Sequence, residues 1–352
     1  METMLDFSLN EIEKIIISQN EQKFRAKQIY TGLYLGKSFN EITTISQSLK
    51  NYLQNNFVSQ PLKFLDIKYS KDETVKFVFK LIDNNVIESV LMKYEYGYTL
   101  CVSSQIGCNM RCKFCASGLD GLVRNLTAGE ILAQVIMANK FLDGKLGENR
   151  KITNIVIMGS GEPLDNYDNV TKFLKLVTDK DGFNISERNI SLSTCGIVEN
   201  IYKLADDGFK VTLTISLHSI NDNVRKSIMP IARRYSVKDI LKACEYYYEK
   251  TKRRIVFEYT LIKNVNDDLN LATAIKSLLN KFNMSYHINI IVLNENNGII
   301  GLESTGREYA RKFANYLEKN GVSATVRRTM GQDIEGACGM LRKKFLDNGG
   351  EE

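Results

Sequence analysis

From residue 104 onward, short apolar runs typical of strands alternate with stretches of helical periodicity. The apolar runs lie at residues 154–158, 189–193, 211–217, 255–260, 287–293 and 324–327. The helical stretches lie near residues 127–143, 166–179, 236–250, 268–282 and 305–319. Because parallel strands must be joined by a crossover, these units predict an α/β fold, with a helix-covered parallel sheet that is open or closed into a barrel. In such sheets the chemistry takes place at the C-terminal ends of the strands.

The first hundred residues follow a different pattern. The helical spacing of apolar residues predicts three helices, near residues 9–16, 24–35 and 42–57. Pro61 ends that region, and four alternating runs follow, at residues 64–69, 75–79, 86–92 and 98–102. We therefore predict four parts, namely a small helical N-terminal domain (1–60), a short strand-rich extension (61–97), a catalytic domain (98–345) and a flexible tail (346–352).

The composition narrows the class of protein. Of the 352 residues, 43% are hydrophobic, which is enough for a real core, and 25% are charged, the ordinary share of a soluble protein. This balance excludes a disordered chain and a small disulfide scaffold. The sequence has no run of 18 apolar residues, and its acidic start has no apolar signal core, so we expect a cytoplasmic protein with no membrane contact.

Positive charge is in excess and is unevenly distributed. The net charge is +6, and the first hundred residues carry 12 basic and 12 acidic side chains, so the whole excess lies after them. It is concentrated at Arg233-Arg234, Lys252-Arg253-Arg254, Arg327-Arg328 and Arg342-Lys343-Lys344. This distribution fits a phosphate-rich partner such as RNA, and fits equally well a mildly basic surface that has no partner.

Three of the seven cysteines crowd into eight residues, as Cys108-x3-Cys112-x2-Cys115. In a reducing compartment such crowding favours metal ligation or redox chemistry over structural disulfides. The spacing, with Phe114 just before the last cysteine, is the signature of radical S-adenosylmethionine (SAM) enzymes, in which three thiolates hold a [4Fe–4S] cluster and leave one iron open. Two alternatives remain: a zinc site with Cys101 as the fourth ligand, and a set of unligated thiols.

Polar residues follow several of the predicted strands. The loop Gly159-Ser160-Gly161-Glu162-Pro163 closes an apolar run, where glycines let a ligand approach the backbone and Glu162 can take the ammonium of an amino acid. This loop is similar to the radical SAM loop that holds the methionine amino group, and a plain tight turn is the alternative. Ser193, Ser216 and His218 lie at the ends of two further strands, where they can bind a ligand or provide ordinary strand-end polarity.

Glu88 lies in the alternating run Val86–Met92, on one face with Val86, Val90 and Met92. An acid among apolar neighbours is costly unless it is paired or can be protonated. The pattern therefore favours a residue that transfers a proton, and the alternative is an exposed face of an edge strand.

Together these motifs resemble the RlmN/Cfr family of radical SAM RNA methyltransferases. The matching segments are residues 100–108, 159–164, 192–196, 215–218, 229–231 and 326–339, so the resemblance covers nearly the whole chain. The resemblance implies a radical SAM partial (β/α)6 barrel with an RNA-facing helical N-terminal domain. It also implies 23S rRNA, with or without tRNA, as the substrate, an external electron donor such as flavodoxin or ferredoxin, and a monomeric enzyme.

The resemblance also implies roles for individual residues. The [4Fe–4S] ligands would be Cys108, Cys112 and Cys115. The SAM-contacting positions would be Gly161, Glu162, Ser193, Ser216, Leu217, His218 and Asn294. Cys338 would be methylated by one SAM, Cys101 would resolve an RNA–protein adduct, and Glu88 would accept a proton.

The implied chemistry uses two SAM molecules per turnover, one as methyl donor and one as radical source. Because C2 of adenine is not nucleophilic, a methyl group on Cys338 would lose a hydrogen to a 5′-deoxyadenosyl radical and then add to the ring. Release needs a base and a second thiol, which is a two-cysteine exchange that implies a disulfide bond.

The loop at residues 159–163 also indicates which adenine carbon would be methylated, C2 or C8. Pro163 indicates the branch that methylates C2 of the adenosine at the peptidyl-transferase centre of 23S rRNA, and of the adenosine 3′ of some tRNA anticodons. The alternatives are the Cfr-type branch, which methylates C8, and a zinc-dependent RNA-binding module without catalysis. A radical SAM enzyme that acts on a small molecule is a further alternative, which the motif at residues 326–339 disfavours.

Overall fold

The computed structural model describes residues 1–294 and 301–341, so the predicted tail at 346–352, the end of the catalytic domain and the basic cluster at 342–344 lie outside the described residues. The helices are α1 Leu9–Ser18, α2 Phe24–Tyr34, α3 Gln47–Asn56, α4 Ala128–Phe141, α5 Tyr167–Thr178, α6 Val198–Asp206, α7 Asp222–Ile228, α8 Val237–Thr251, α9 Leu271–Leu279 and α10 Gly306–Lys319. The strands are β1 Glu2–Thr3, β2 Phe57–Val58, β3 Leu62–Tyr69, β4 Val75–Leu81, β5 Val86–Tyr94, β6 Gly97–Val102, β7 Gln105–Gly107, β8 Leu122–Asn125, β9 Ile152–Ile157, β10 Ile190–Thr194, β11 Thr212–Ser216, β12 Ile255–Leu261, β13 Tyr286–Val292 and β14 Ala324–Val326.

One sheet of ten strands forms the centre of the molecule, in the order β14-β13-β12-β11-β10-β9-β6-β5-β4-β3. Strand β6 and the six strands β9 to β14 are parallel to one another. Beyond β6 the sheet continues through β5, β4 and β3, which pair in antiparallel fashion. Within the described residues β14 and β3 do not pair, so the sheet is open. The predicted α/β class is confirmed, and the sheet joins the parallel part to the strand-rich extension without a break.

The N-terminal helices pack against the sheet domain through specific contacts. Asp6 accepts a hydrogen bond from the Gly129 amide at 2.6 Å, at the start of α4. A side chain at Gly129 would lie 2.5 Å from Thr3, so the glycine permits this close approach. The Tyr34 hydroxyl donates to the Leu176 carbonyl of α5 at 3.1 Å. These contacts hold the segment before α1 against α4, and α2 against α5.

One predicted helix has the wrong start, and two helices were not predicted. The third N-terminal helix begins at Gln47 rather than near residue 42, because Ser46 caps it and the segment Phe39–Glu41 forms a separate 3-10 turn. The structure also contains α6 and α7, which were not predicted. At 9 and 7 residues they are too short to show a clear helical periodicity.

Strands β4 and β5 are buried on both faces over most of their length, whereas the edge strand β3 is largely exposed. On one face, the Ser89 hydroxyl donates to Gln134 of α4 at 2.6 Å. On the other face, Val90 and Cys101 pack against Leu341. Leu341 ends the segment Gly331–Leu341, which we call the tail segment and which runs across this face. No described helix is long and apolar enough to cross a membrane.

Candidate active site

A pocket of about 880 Å³, including the part open to solvent, lies at the C-terminal ends of the parallel strands. Strands β9 to β13 all contribute side chains from their C-terminal ends or the residues that follow, as the fold class requires. Ten predicted site residues line this pocket: Cys108, Cys112, Cys115, Gly161, Glu162, Ser193, Ser216, His218, Asn294 and Cys338. The structure therefore brings together residues that are up to 230 positions apart in sequence.

The three clustered cysteines lie on a loop, residues 108–115, that we call the cysteine loop. The pair of strands β7 and β8 flanks it. Gly107 has a φ of +76°, and a side chain there would lie 1.9 Å from the Gly121 carbonyl oxygen, so only glycine fits where the loop begins. The Cys108 amide donates to that same carbonyl at 3.1 Å. The loop is thus closed by contacts near it in sequence.

The thiols of this loop are suited to ligation once they lose their protons. Burial raises the pKa of Cys108 to about 12, whereas a hydrogen bond from the Met110 amide to its sulfur lowers it. Burial also raises the pKa of Cys115, and the amides of Ser117 and Gly118 oppose that effect. Amide donors directed at sulfur favour the thiolate, which is the form that binds metal. Among the described residues, no three His, Cys, Asp or Glu side chains are close enough to hold one metal ion.

Glu162 is fixed by the backbone on both of its oxygens. Oε2 accepts from the Cys195 amide at 2.7 Å, and Oε1 accepts from the Leu164 amide at 3.0 Å. Burial raises the pKa of this carboxyl group, and the hydrogen bonds oppose the increase. Gly161 beside it has a φ of +107°, and a side chain there would lie 2.6 Å from Gln105. The loop therefore presents a positioned carboxylate in the pocket wall, each of whose oxygens can accept a further hydrogen bond.

His218 is a neutral, fixed side chain. The Thr260 amide donates to Nδ1 at 3.0 Å, so the ring proton lies on Nε2. Burial is the main cause that lowers its pKa to about 3. The ring packs edge-on against Phe114 of the cysteine loop, with ring centroids 4.6 Å apart. Leu217, by contrast, is buried and does not line the pocket, and its amide donates to the Glu258 carbonyl.

Cys338 is brought to the pocket by the tail segment. The Asn294 side chain donates to the Cys338 carbonyl at 3.0 Å. The Ala116 amide donates to the Gly339 carbonyl at 2.8 Å, and the Ser117 hydroxyl donates to the Leu341 carbonyl at 2.7 Å. These three bonds place Cys338 directly beside the cysteine loop.

A second pocket of about 730 Å³ adjoins the first. Cys101 lines only this second pocket, whereas Cys115, Asn294, Arg327 and Cys338 line both. Cys338 therefore borders both the pocket that contains all three clustered cysteines and the pocket that contains Cys101.

Glu88 lines neither of these pockets. Its carboxylate lies 2.9 Å from the ammonium of Lys76, and both side chains are at most 3% exposed. Because β5 lies between β4 and β6, Glu88 is buried inside the sheet, and the alternative of an exposed edge strand is wrong. Leu341 lines both the second pocket and the small cavity beside Glu88, so it separates the carboxylate from Cys101.

Two further side chains in the pocket were missed as site residues. Glu258 is bound by the guanidinium of Arg327, and Ser193 donates to its other oxygen at 3.3 Å. Glu258 lies in the apolar strand β12, so an acid among apolar neighbours was a signal that could have identified it. Arg327 was assigned only to a basic surface cluster, but its side chain faces inward, while Arg328 is exposed.

The implied disulfide is not formed in this structure. All seven cysteines belong to the described part of the chain, and all are free thiols. Burial raises the pKa of Cys101 to about 12 and also raises that of Cys338. A disulfide between two thiols forms only when an oxidant takes up two electrons, so Cys101 and Cys338 are the reduced pair in this structure.

Comparison with known proteins defines the class of this fold and site. The family model described as "Radical SAM superfamily" matches residues 102–274, and "Ribosomal RNA large subunit methyltransferase N-terminal domain" matches residues 3–58. The crystal structure of a radical SAM methyltransferase from Sphaerobacter thermophilus aligns with a TM-score of 0.91 and 36% identity, over 97% of this chain and 99% of that one. The architecture is therefore that of a radical SAM methyltransferase.

Curated relatives identify the family more closely. Proteins named "probable dual-specificity RNA methyltransferase RlmN" are 49% identical in Clostridium perfringens, over 99% of both chains, and 48% identical in Clostridium botulinum, over 98% of this chain and 99% of the relative. This chain belongs to the RlmN family of radical SAM RNA methyltransferases, which confirms the resemblance seen in its sequence.

Proposed function

We propose that this enzyme methylates C2 of an adenosine in RNA, through a methyl group carried on Cys338 and a transient RNA–protein adduct. The substrate is the adenosine at the peptidyl-transferase centre of 23S rRNA, and the adenosine 3′ of some tRNA anticodons is a second one. The observation that carries the proposal is the position of Cys338 at the border of both pockets. The words "dual-specificity RNA methyltransferase" in the names of the relatives support an RNA substrate of two kinds.

The first pocket fits the cofactors that the family requires. Cys108, Cys112 and Cys115 would hold a [4Fe–4S] cluster, since all three line one pocket and two of them receive amide hydrogen bonds at sulfur. Two SAM molecules per turnover and one external electron donor, such as flavodoxin or ferredoxin, would supply a methyl group and a hydrogen-abstracting radical. The enzyme in this proposal is a monomer that acts in the cytoplasm, where its RNA substrates would lie.

The two special cysteines have separate tasks in this proposal. Cys338 accepts the methyl group from the side of the first pocket, and Arg327 favours its thiolate because the guanidinium charge opposes the effect of burial on its pKa. Cys101, in the second pocket, attacks the sulfur of Cys338 to release the methylated base. The bond between the Cys338 sulfur and the methylene carbon breaks as the new sulfur–sulfur bond forms, the electron pair stays on the carbon, and a proton completes the methyl group. An external reductant must then reduce the disulfide to two thiols before another turnover.

Glu88 is the proposed acceptor of the proton that leaves C2. Its carboxylate is held by Lys76, which also donates to the Glu335 carbonyl of the tail segment at 3.3 Å. Leu341 lies between Glu88 and the second pocket, so this role requires the tail segment to move aside when RNA binds.

Mass spectrometry of the RNA product tests the proposed function. Unmodified transcripts of a 23S rRNA fragment and of tRNA are incubated with reconstituted enzyme, SAM and reductant, then digested to nucleosides. Methyl groups on C2 of adenosine support the proposal, while methyl groups on C8 support the Cfr-type alternative, against the assignment from Pro163. A reconstituted, iron-loaded enzyme that modifies neither RNA would contradict the function.

A further inference from the structure

The wall of the second pocket continues outward as a pair of stacked tyrosine rings. Tyr94, the last residue of β5, lines the pocket together with Cys101 and Cys338. Tyr96 stacks on it, with ring centroids 5.0 Å apart and ring planes within 6° of parallel. Tyr96 is 61% exposed. An aromatic surface therefore leads from the chamber of the two special cysteines into solvent.

The exposed ring is held in place. Tyr96 lies in the two-residue turn between β5 and β6, and the register pairs Tyr94 with Gly97 across that turn. Gly97 has a φ of +124°, and a side chain there would lie 2.6 Å from Thr153, so the turn needs glycine. The Tyr96 hydroxyl lies 3.5 Å from that of Thr99. The ring is therefore presented to solvent in a defined orientation, next to the ring of Tyr94 that lines the second pocket.

The charge beside the rings indicates what binds there. Arg328 lines the same pocket, is exposed and makes no ion pair with any residue in the described part of the chain. A cation next to an exposed aromatic ring is the combination that proteins use for single-stranded nucleic acid, where the cation meets a phosphate and the ring stacks on a base.

We propose that Tyr96 stacks on an unpaired base that neighbours the target adenosine, and that Arg328 contacts the phosphate backbone there. This rests on the proposed function, because it assumes that the target adenosine occupies the second pocket. Tyr96 and Arg328 would together hold the RNA strand next to the target adenosine. They would therefore favour adenosines in unpaired loops over those in duplexes.

The test measures the affinity of the full, iron-loaded enzyme for a fluorescently labelled RNA anticodon stem-loop with the adenosine 3′ of the anticodon. Two further probes carry an abasic residue immediately 5′ or 3′ of that adenosine. Removal of one neighbouring base should weaken binding to the wild type by about 5- to 150-fold, the range found for stacking of a single base. Tyr96→Ala should bind the intact probe more weakly by a similar factor and lose its sensitivity to the abasic residue. Tyr96→Phe, which keeps the ring, should recover most of the affinity.

Tyr316→Ala is the matched control, since Tyr316 is an exposed tyrosine on α10 that lines neither pocket. Equal affinities of wild type and Tyr96→Ala for the intact probe, in an enzyme that methylates RNA, would overturn the inference alone. So would an abasic effect of equal size in both proteins. A wild type that neither binds nor methylates any of these stem-loops would overturn this inference together with the tRNA part of the proposed function, while methylation of 23S rRNA would still be judged by its own product.

Discussion

The cysteine loop and the tail segment meet at one pocket but are held there by different kinds of contact. The loop is closed by nearby residues, such as the bond from the Cys108 amide to the Gly121 carbonyl at 3.1 Å. The tail segment is anchored to parts of the chain more than 200 residues away, including Ser117, Lys76 and Asp72, which accepts from the Gly331 amide at 2.9 Å. The bond from the Lys113 amide to the Ile228 carbonyl at 2.9 Å adds one distant support to the loop. Iron binding should therefore depend more on local contacts than the position of Cys338 does.

The largest expected effect is a difference between a variant of the cysteine loop and a variant of the tail segment, in iron binding and in methylation. Cys112→Ala should abolish both iron binding and methylation, because it removes a proposed ligand of the cluster. Cys338→Ala should keep its iron and still produce no methylated RNA, since only the methyl carrier is lost. Iron content, absorbance near 400 nm and product analysis check this.

Cys244→Ala is the control for these two variants, because Cys244 is buried in the core on α8 and lines neither pocket. It should keep both iron and activity. A Cys112→Ala protein that retains its full iron content would show that the ligand set is wrong.

The next effect concerns the anchor of the tail segment on β4. Lys76→Met removes the cation beside the buried carboxylate of Glu88, and loss of one partner of a buried pair costs about 3–5 kcal/mol of unfolding free energy. The double variant Lys76→Met/Glu88→Gln should recover much of this loss, because it no longer buries a charge. Denaturant unfolding measures both variants.

Lys93→Met provides the contrast, since the ion pair of Lys93 with Glu73 is exposed and its loss should change stability little. Equal stability of Lys76→Met and the wild type would show that the buried pair does not hold this face together.

A smaller effect depends on pH and on His218, which packs against the cysteine loop. Burial lowers the pKa of His218 to about 3, so the folded state stays neutral while the unfolded chain takes up a proton below its ordinary pKa of about 6.5. Stability should therefore fall as the pH falls from about 6.5 towards 3. Between about pH 6.5 and 5 the loss from this group is about 2 kcal/mol.

His218→Gln should remove that slope of the unfolding free energy between about pH 6.5 and 5. His287→Gln should leave most of it, because His287 is only partly buried and its pKa is lowered less. An unchanged slope in His218→Gln would mean that the ring is protonated in the folded state.

The comparison between the cysteine loop and the tail segment also explains which features could be predicted from the sequence. Strands β9 to β14 agree with prediction to within a few residues, because each is an apolar run bounded by turns. The cysteine loop was recognisable because its three cysteines lie within eight residues. The pairing of Lys76 with Glu88, and of Arg327 with Glu258, could not be predicted, because each joins residues on different strands whose register only the folded sheet defines.

The smallest effect tests the hydrogen bond between the tail segment and Ser117, which lies two residues after the cysteine loop. Ser117→Ala removes the hydrogen bond from its hydroxyl to the Leu341 carbonyl, which should cost about 0.5–1.5 kcal/mol of unfolding free energy. Iron content should not change, while the rate of Cys338 methylation should fall, because the tail segment is held less firmly beside the loop. A loss of iron in Ser117→Ala would show that iron binding depends on this hydroxyl, which bonds the Cys115 sulfur as well as the Leu341 carbonyl.

The most direct test of the central claim, that Cys338 carries the methyl group and Cys101 releases the product, uses Cys101→Ala. This variant should still methylate Cys338 and join it to RNA, but no second thiol could then resolve the bond. Incubation with RNA, SAM and reductant should yield a covalent protein–RNA adduct that survives denaturation and disappears after RNase treatment. A metal-loaded Cys101→Ala protein that releases free RNA without forming an adduct would contradict the account, and loss of metal in this variant would favour Cys101 as a zinc ligand.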